Sequence, residues 1–356
     1  MKITKCDIWR VVVPIHPNTV NDPEYPDHTL NTCWELPKTI LRAHTDNGLI
    51  GWGETNRGVP RESVDQLTEA MTGCDLLELD WSRLPIPHHG AHDAIEMLIF
   101  DLLGKSMGLR AAQLLGGPVR EKVRCSYWTG MRTPENLARV AAVGKAKGFD
   151  GIKIKCTLEQ PNVERFRAVA DACGTDFKIT VDPNQRFYIP AHAIELGRHA
   201  AEIGNVALFE DPIKRGNHLD WYVLLRQKMA VPVAMHLGTP GEILEAIRAG
   251  AIDYFNNGSS GMYEFVRCAY LGEIAGVPCW HGSGVDLGIR EASFLHACAA
   301  SPSCTLGSDI FGELIRSDDL IARPIEFENG HAKLPAGPGL GVEGDLDAIE
   351  NHRVDY

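Results

Sequence analysis

Four short apolar runs of this chain end in side chains able to move protons or hold cations: GIKIK from Gly151 to Lys155, ITVDPNQ from Ile179 to Gln185, VALFEDP from Val206 to Pro212 and VPVAMHLG from Val231 to Gly238. In the first, Lys153 and Lys155 alternate with Ile152 and Ile154. On an extended backbone both lysines therefore point to one face and both isoleucines to the other. Two ammonium groups on one partly buried face give up a proton more readily than one in water, as a general base requires. Asp182 and Glu210, each ending its own run, supply the hard carboxylate oxygens that Mg²⁺ or Mn²⁺ prefers. A lysine base beside a divalent cation can take a proton from carbon and hold the anion that remains.

The elements that position these residues follow from their spacing. Lys155, Asp182, Glu210 and His236 are 26 to 28 residues apart, the length of one strand, one helix and two loops, and a helix-like segment follows each run. Parallel strands in that repeat bring their ends side by side on one rim of a (β/α)8 barrel, where such barrels keep their chemistry. Further strand candidates are Lys122 to Tyr127, Ala251 to Asn256, Val277 to His281 and Thr305 to Leu306, giving eight in all. A barrel takes about 250 residues, so a chain of 356 has roughly 100 left for a second domain.

That remainder lies mostly before the barrel. Strand-like runs cover Lys2 to Pro14, Thr39 to Thr45 and Leu49 to Glu54, the last two joined by the hairpin signal Asp46-Asn47-Gly48. Between the first two, a loop from His16 to Pro37 carrying Tyr25 and Trp34 has the length of a lid. His92 to Leu103 spaces Ile95, Leu98, Ile99 and Leu102 as one face of an amphipathic helix, with Gly104 as its stop. Gly116-Gly117-Pro118 reads as a linker, and the Gly- and Pro-rich tail after Pro324 as a return to the N-terminal domain. The divisions expected are 1–118 for an α+β capping domain, 119–323 for the barrel and 324–356 for the returning segment.

Composition narrows the partners. A net charge of -12 and a pI near 5.6 argue against nucleic acid and anionic membrane surfaces. Ten scattered cysteines without a CxxC read as reduced thiols of a cytoplasmic protein. The N-terminal run has neither a signal peptide's apolar core nor, like the rest of the chain, 18 apolar residues in a row.

Taken in order, Gly51-Trp52-Gly53-Glu54-Thr55, HDAIEMLIFDLLGKSMG from His92, QLLGG from Gln113, Lys153-Ile154-Lys155, Asp182 with Asn184, Glu210-Asp211-Pro212 and Pro338-Gly339-Leu340-Gly341-Val342 resemble the enolase superfamily in its muconate lactonizing enzyme and mandelate racemase branches. The resemblance spans nearly the whole chain. It implies an α/β fold: a modified (β/α)8 TIM barrel beneath an α+β capping domain formed from both termini. It also implies a divalent metal, usually Mg²⁺, that stabilises the enolate formed when a base removes the proton α to a carboxylate. By family position Lys155 is the base and Lys153 its partner, while Asp182 and Glu210 are metal ligands. A homo-oligomer is implied as well.

Two departures from the pattern bear on the reaction. Where the family has an acidic third ligand, this chain reads His236-Leu237; His236 as ligand admits Mn²⁺ or another transition metal beside Mg²⁺. Where the lactonizing branch has a lysine after the sixth strand, the stretch Asp253 to Gly261 has none. The seventh strand instead ends in His281, the acid or base of the racemase branch, with Asn256 or Asn257 where that branch has an aspartate. His281 is therefore expected to donate a proton to a leaving hydroxyl. Asp286, Asn184, Asn256 and Trp34 fall where substrate is held, and Arg57 in a loop that closes over the barrel. The reaction expected is β-elimination of water from a hydroxylated small-molecule carboxylate. Racemisation, epimerisation and cycloisomerisation share its first step, and a non-catalytic relative with a decayed metal site is the alternative from another class.

Overall fold

The computed structural model describes residues 1–20, 25, 34–81, 83–86, 90–215, 219–258 and 261–355. Most of the loop expected as a lid lies outside them. The chain opens with an antiparallel sheet of β1 (Ile3–Pro14), β2 (Glu35–Thr45) and β3 (Ile50–Glu54), in that order. Both faces of this sheet are covered. Val11, Val13 and Ile40 join the main core, whereas Ile3, Leu41 and Ala43 pack with Leu67 of α1 (Arg61–Met71) and Leu98 and Leu102 of α2 (His92–Met107).

Helix α2 corrects the expectation of one apolar face. Every residue from Asp93 to Gly104 is buried, because a helix enclosed on all sides needs no polar face. Gly51 and Gly53 admit it: a Cβ at Gly53 would stand 2.3 Å from the Ala94 carbonyl oxygen, and one at Gly51 2.5 Å from Leu102 Cγ. Gly104 is not the helix stop. The helix continues to Met107 and ends at Gly108, whose φ of 68° suits a left-handed cap. Gly104 is small because the Gly339 backbone crosses there, 2.6 Å from where a Cβ would sit.

Beyond α3 (Ala111–Leu114) and β4 (Lys122–Arg124) the chain alternates strand and helix: β5 (Tyr127–Thr129), α4 (Pro134–Ala146), β6 (Gly151–Lys155), α5 (Asn162–Cys173), β7 (Lys178–Asp182), α6 (Pro190–Ile203), β8 (Val206–Glu210), α7 (Leu219–Lys228), β9 (Val233–His236), α8 (Pro240–Ala249), β10 (Tyr254–Asn257), α9 (Met262–Ala275), β11 (Cys279–His281) and α10 (Gly288–Ala299). β5 to β11 form one parallel seven-stranded sheet in chain order. Its outward side chains, among them Ile152, Ile154, Val181, Phe209, Met235 and Phe255, belong to the main core, while Leu208, Ala234 and Trp280 fill the interior. Two strand expectations change. Lys122 to Tyr127 splits in two, and β4 pairs instead in an antiparallel sheet with β13 (His331–Lys333), next to β12 (Phe327–Glu328). Thr305 to Leu306 is not a strand; isolated bridges Cys279 to Cys304 and Cys125 to Ser308 span the closing side.

The last residues return to the N-terminal sheet through Arg353, which bridges Val11, and α11 (Leu346–Asn351), whose Glu350 accepts from Trp9 Nε1 at 2.6 Å. No helix among the described residues is long and apolar enough to cross a membrane.

Candidate active site

Strand register decides which side chains meet. Lys153 pairs with Thr180 and Lys155 with Asp182, and further along His236 pairs with Asn256 and Asn256 with Trp280. Paired positions on neighbouring strands share a face. With Trp280 in the interior, this places Lys153, Lys155, Asp182, Glu210, His236 and Asn256 inside the barrel at the carboxyl ends of the strands.

They form one charged network. Lys155 Nζ lies 2.5 Å from Asp182 Oδ2, and Lys153 Nζ lies 2.7 Å from Glu210 Oε2 and 3.6 Å from Asp182 Oδ2. Asn256 donates to Glu210 Oε1 at 2.7 Å, and His236 Nδ1 stands 3.9 Å from that oxygen. Backbone groups brace the set: Asn184 N–H donates to Asp182 Oδ1 at 3.0 Å, and His236 N–H to Asp211 Oδ1 at 3.0 Å. Burial works against the Asp182 carboxylate, but Lys155 and Lys153 outweigh it and hold its pKa below the ordinary value. Burial likewise opposes the Lys153 ammonium, yet Asp309, Glu210 and Asp182 together push its pKa well up. Lys153 is thus a fixed cation, and Lys155 is the less buried of the pair.

Asp309 was not anticipated. Its Oδ2 accepts from Lys153 Nζ at 2.9 Å, and it is 3% exposed, with burial raising its pKa to about 6. One signal could have found it: Asp309 follows His281 by 28 residues, the interval that separates the other strand ends.

Two expected site residues lie elsewhere. His281 pairs with Asn257, not with Asn256, and so faces outward. Its ring stacks on Phe294 at 3.9 Å and packs against Phe265 at 4.5 Å between centroids, with Nδ1 2.6 Å from the Gly282 carbonyl oxygen. It is 1% exposed, and burial lowers its pKa to about 4. A ring in that outer layer does not reach the interior, and the proton-donor role expected of it falls away. Asp286 is likewise committed, to Lys38, to Arg290 Nε at 3.2 Å and to Ser283 Oγ at 2.6 Å. Lys38 also pairs with Glu54 at 3.3 Å, and Arg290 with Asp93. This buried network ties the N-terminal sheet to the barrel and leaves Asp286 no part in holding substrate. Trp34, immediately before β2, is 55% exposed, its carbonyl accepting from Ile15 N–H at 3.0 Å.

A divalent cation can be tested against this donor set. Among the described residues no three His, Cys, Asp or Glu side chains already form a ligating cluster, for the lysines take the carboxylate oxygens. Yet Glu210 Oε2 makes only its ion pair with Lys153 among the described residues, and burial lowers the pKa of His236, which favours the neutral imidazole that a metal needs. Two carboxylates and a neutral imidazole fit such an ion.

A family model described as enolase C-terminal domain-like matches residues 136–348. The D-galactarolactone cycloisomerase of Agrobacterium fabrum is 29% identical over 369 residues, covering 92% of this chain and 96% of that protein. The arabinonate dehydratase of Saccharolobus solfataricus is 28% identical over 338 residues, covering 86% and 88%. The solved N-succinyl Arg/Lys racemase from Bacillus cereus shares the fold with a TM-score of 0.88 at 24% identity, over 100% of this chain and 99% of that one.

Proposed function

The chain belongs to the enolase superfamily, in its mandelate racemase and muconate lactonizing branch, and from that premise we propose that it eliminates water from a hydroxylated carboxylic acid by way of an enolate. It is an enzyme, a lyase or an isomerase. Lys155 Nζ takes the α-proton, and the C–H electron pair passes into the carboxylate as the enolate. When the pair returns to form the carbon–carbon double bond, the β C–O bond breaks. The proton now on Lys155 goes to the leaving oxygen, so water departs and the base is restored. A divalent cation held by Asp182, Glu210 and His236 would supply positive charge to stabilise the enolate. Lys153, kept cationic by its carboxylates, adds a fixed charge beside the base, and Asn256 orients Glu210.

The observation that carries this reading is the wall across from the lysines. The inward positions at the carboxyl ends of β10 and β11 are Asn256 and Trp280, with Tyr254 further down β10, and His281 faces outward. Neither side chain at those strand ends is a proton donor of useful acidity, which favours chemistry on the lysine face alone over a two-base racemisation. Cycloisomerisation, which also needs a single base, is the second reading, supported by the relative named for that reaction. Arabinonate, in the dehydratase's name, is a polyhydroxylated carboxylate, and acid sugars are the substrate class we infer. Proton NMR in D₂O over a panel of acid sugars with Mg²⁺ or Mn²⁺ tests this: loss of the β-hydroxyl is expected, whereas inversion at Cα with the hydroxyl retained would replace elimination by epimerisation.

A further inference from the structure

Lys153 presents a conflict that rests on the metal reading above. Its ammonium lies 2.7 Å from Glu210 Oε2 and 3.6 Å from Asp182 Oδ2, the oxygens that a divalent cation would need. Cation and ammonium compete for them, and a buried ammonium displaced without another partner is strongly destabilised. The third carboxylate around Lys153 belongs to neither ligand strand. Asp309 is fixed at the end of β11, its N–H donating to the His281 carbonyl at 2.8 Å. Its Oδ2 already holds Lys153 at 2.9 Å, and its Oδ1 is buried with no hydrogen-bond partner. A second oxygen therefore stands ready for the same ammonium.

We propose that Asp309 is a positioning residue that draws the Lys153 ammonium away from Glu210 and Asp182 and so frees both carboxylates for the divalent cation. Neutralising Asp309 leaves Lys153 no anion but the two ligands, so metal affinity falls although no ligand has been touched. The effect passes through Lys153, which separates it from a direct pull of Asp309 on the cation.

Isothermal titration calorimetry with MnCl₂ on chelator-stripped full-length protein tests this in wild type, Asp309→Asn, Asp309→Glu, Lys153→Met and the Lys153→Met/Asp309→Asn double variant. The expected result is that Asp309→Asn raises Kd on the order of tenfold or more, as for one partner of a buried pair. Asp309→Glu should stay near wild type. In the Lys153→Met background the Asn change should shift Kd less than about twofold, the sign of coupling through that lysine. Asp309→Ser gives the same comparison should the Asn variant not fold. Equal Kd for wild type and Asp309→Asn overturns the proposal, and so does an equal loss in both backgrounds, which would mean direct attraction. A wild type that takes up no Mn²⁺ overturns the metal reading itself, and this inference with it.

Discussion

His281 is held between the rings of Phe265 and Phe294, and its consequences are those of a buried neutral histidine. Replacing it with phenylalanine keeps the aromatic packing. The His281→Phe variant is expected to retain exchange at Cα within about twofold, where loss of a true acid or base would cost about 100-fold or more; NMR in D₂O reads the difference. Stability carries a second signature. Burial lowers the folded pKa to about 4, so below pH 6.5 the unfolded chain binds the proton that the folded one refuses. This contribution is present above pH 6.5 and is lost as pH falls toward 4, about 2 kcal/mol of it between pH 7 and 5. The guanidinium midpoint of His281→Phe should therefore fall less than that of wild type over those two pH units. An equal fall would show that His281 does not titrate in this way. The sequence made Lys153 and Lys155 legible because a period of two needs only a strand. His281 misled because a strand end alone does not tell which neighbour faces inward. The register of Asn256 with Trp280 decides that, and register is a property of paired strands.

Between elements, buried carboxylates do the joining. Glu54, at the end of β3, accepts from the N–H groups of Leu287 and Arg290 at 2.8 and 2.9 Å and so caps α10 of the barrel. From α2, Glu96 accepts from Tyr263 N–H at 3.1 Å in the first turn of α9. Orphan N–H groups at a helix start favour an anion, and here it comes from a different part of the chain. Glu54→Ala would strand Lys38 and Arg290 with fewer anions, at a cost of about 3 to 5 kcal/mol, the range for breaking a buried pair. Glu54→Gln, which keeps an acceptor, should cost less. Chemical denaturation of both variants checks the order, and equal losses would deny the importance of the cap hydrogen bonds. In the sequence, GWGE read as a strand and as part of the family pattern but not as a cap, because the helix that Glu54 caps begins more than 230 residues later. Gly104 read as a stop for a similar reason, since the backbone that requires it belongs to Gly339.

For the molecule as a whole, the repeat of 26 to 28 residues made the barrel legible, since it needs no long-range contact to be seen. The closing side was not, because isolated bridges at Cys304 and Ser308 replace a run long enough to show a pattern. Substrate identity stays with loops, and much of 16–37 lies outside the described residues. Metal binding should be visible globally. If Asp182, Glu210 and His236 hold a cation, Mn²⁺ at a hundredfold excess over Kd stabilises the folded state by about 2.7 kcal/mol. Thermal unfolding should rise accordingly and return on addition of a chelator, and Asp182→Asn should remove the response. A response that survives that change would place the ion elsewhere.

The central claim is that Lys155 takes a proton from the carbon α to a carboxylate, and deuterium incorporation at Cα of an acid sugar in D₂O tests it most directly. Wild type with Mn²⁺ is expected to exchange that proton, and Lys155→Ala to lose the exchange while still folding and still binding Mn²⁺. Exchange that persists in Lys155→Ala would contradict the account and move the base elsewhere in the barrel.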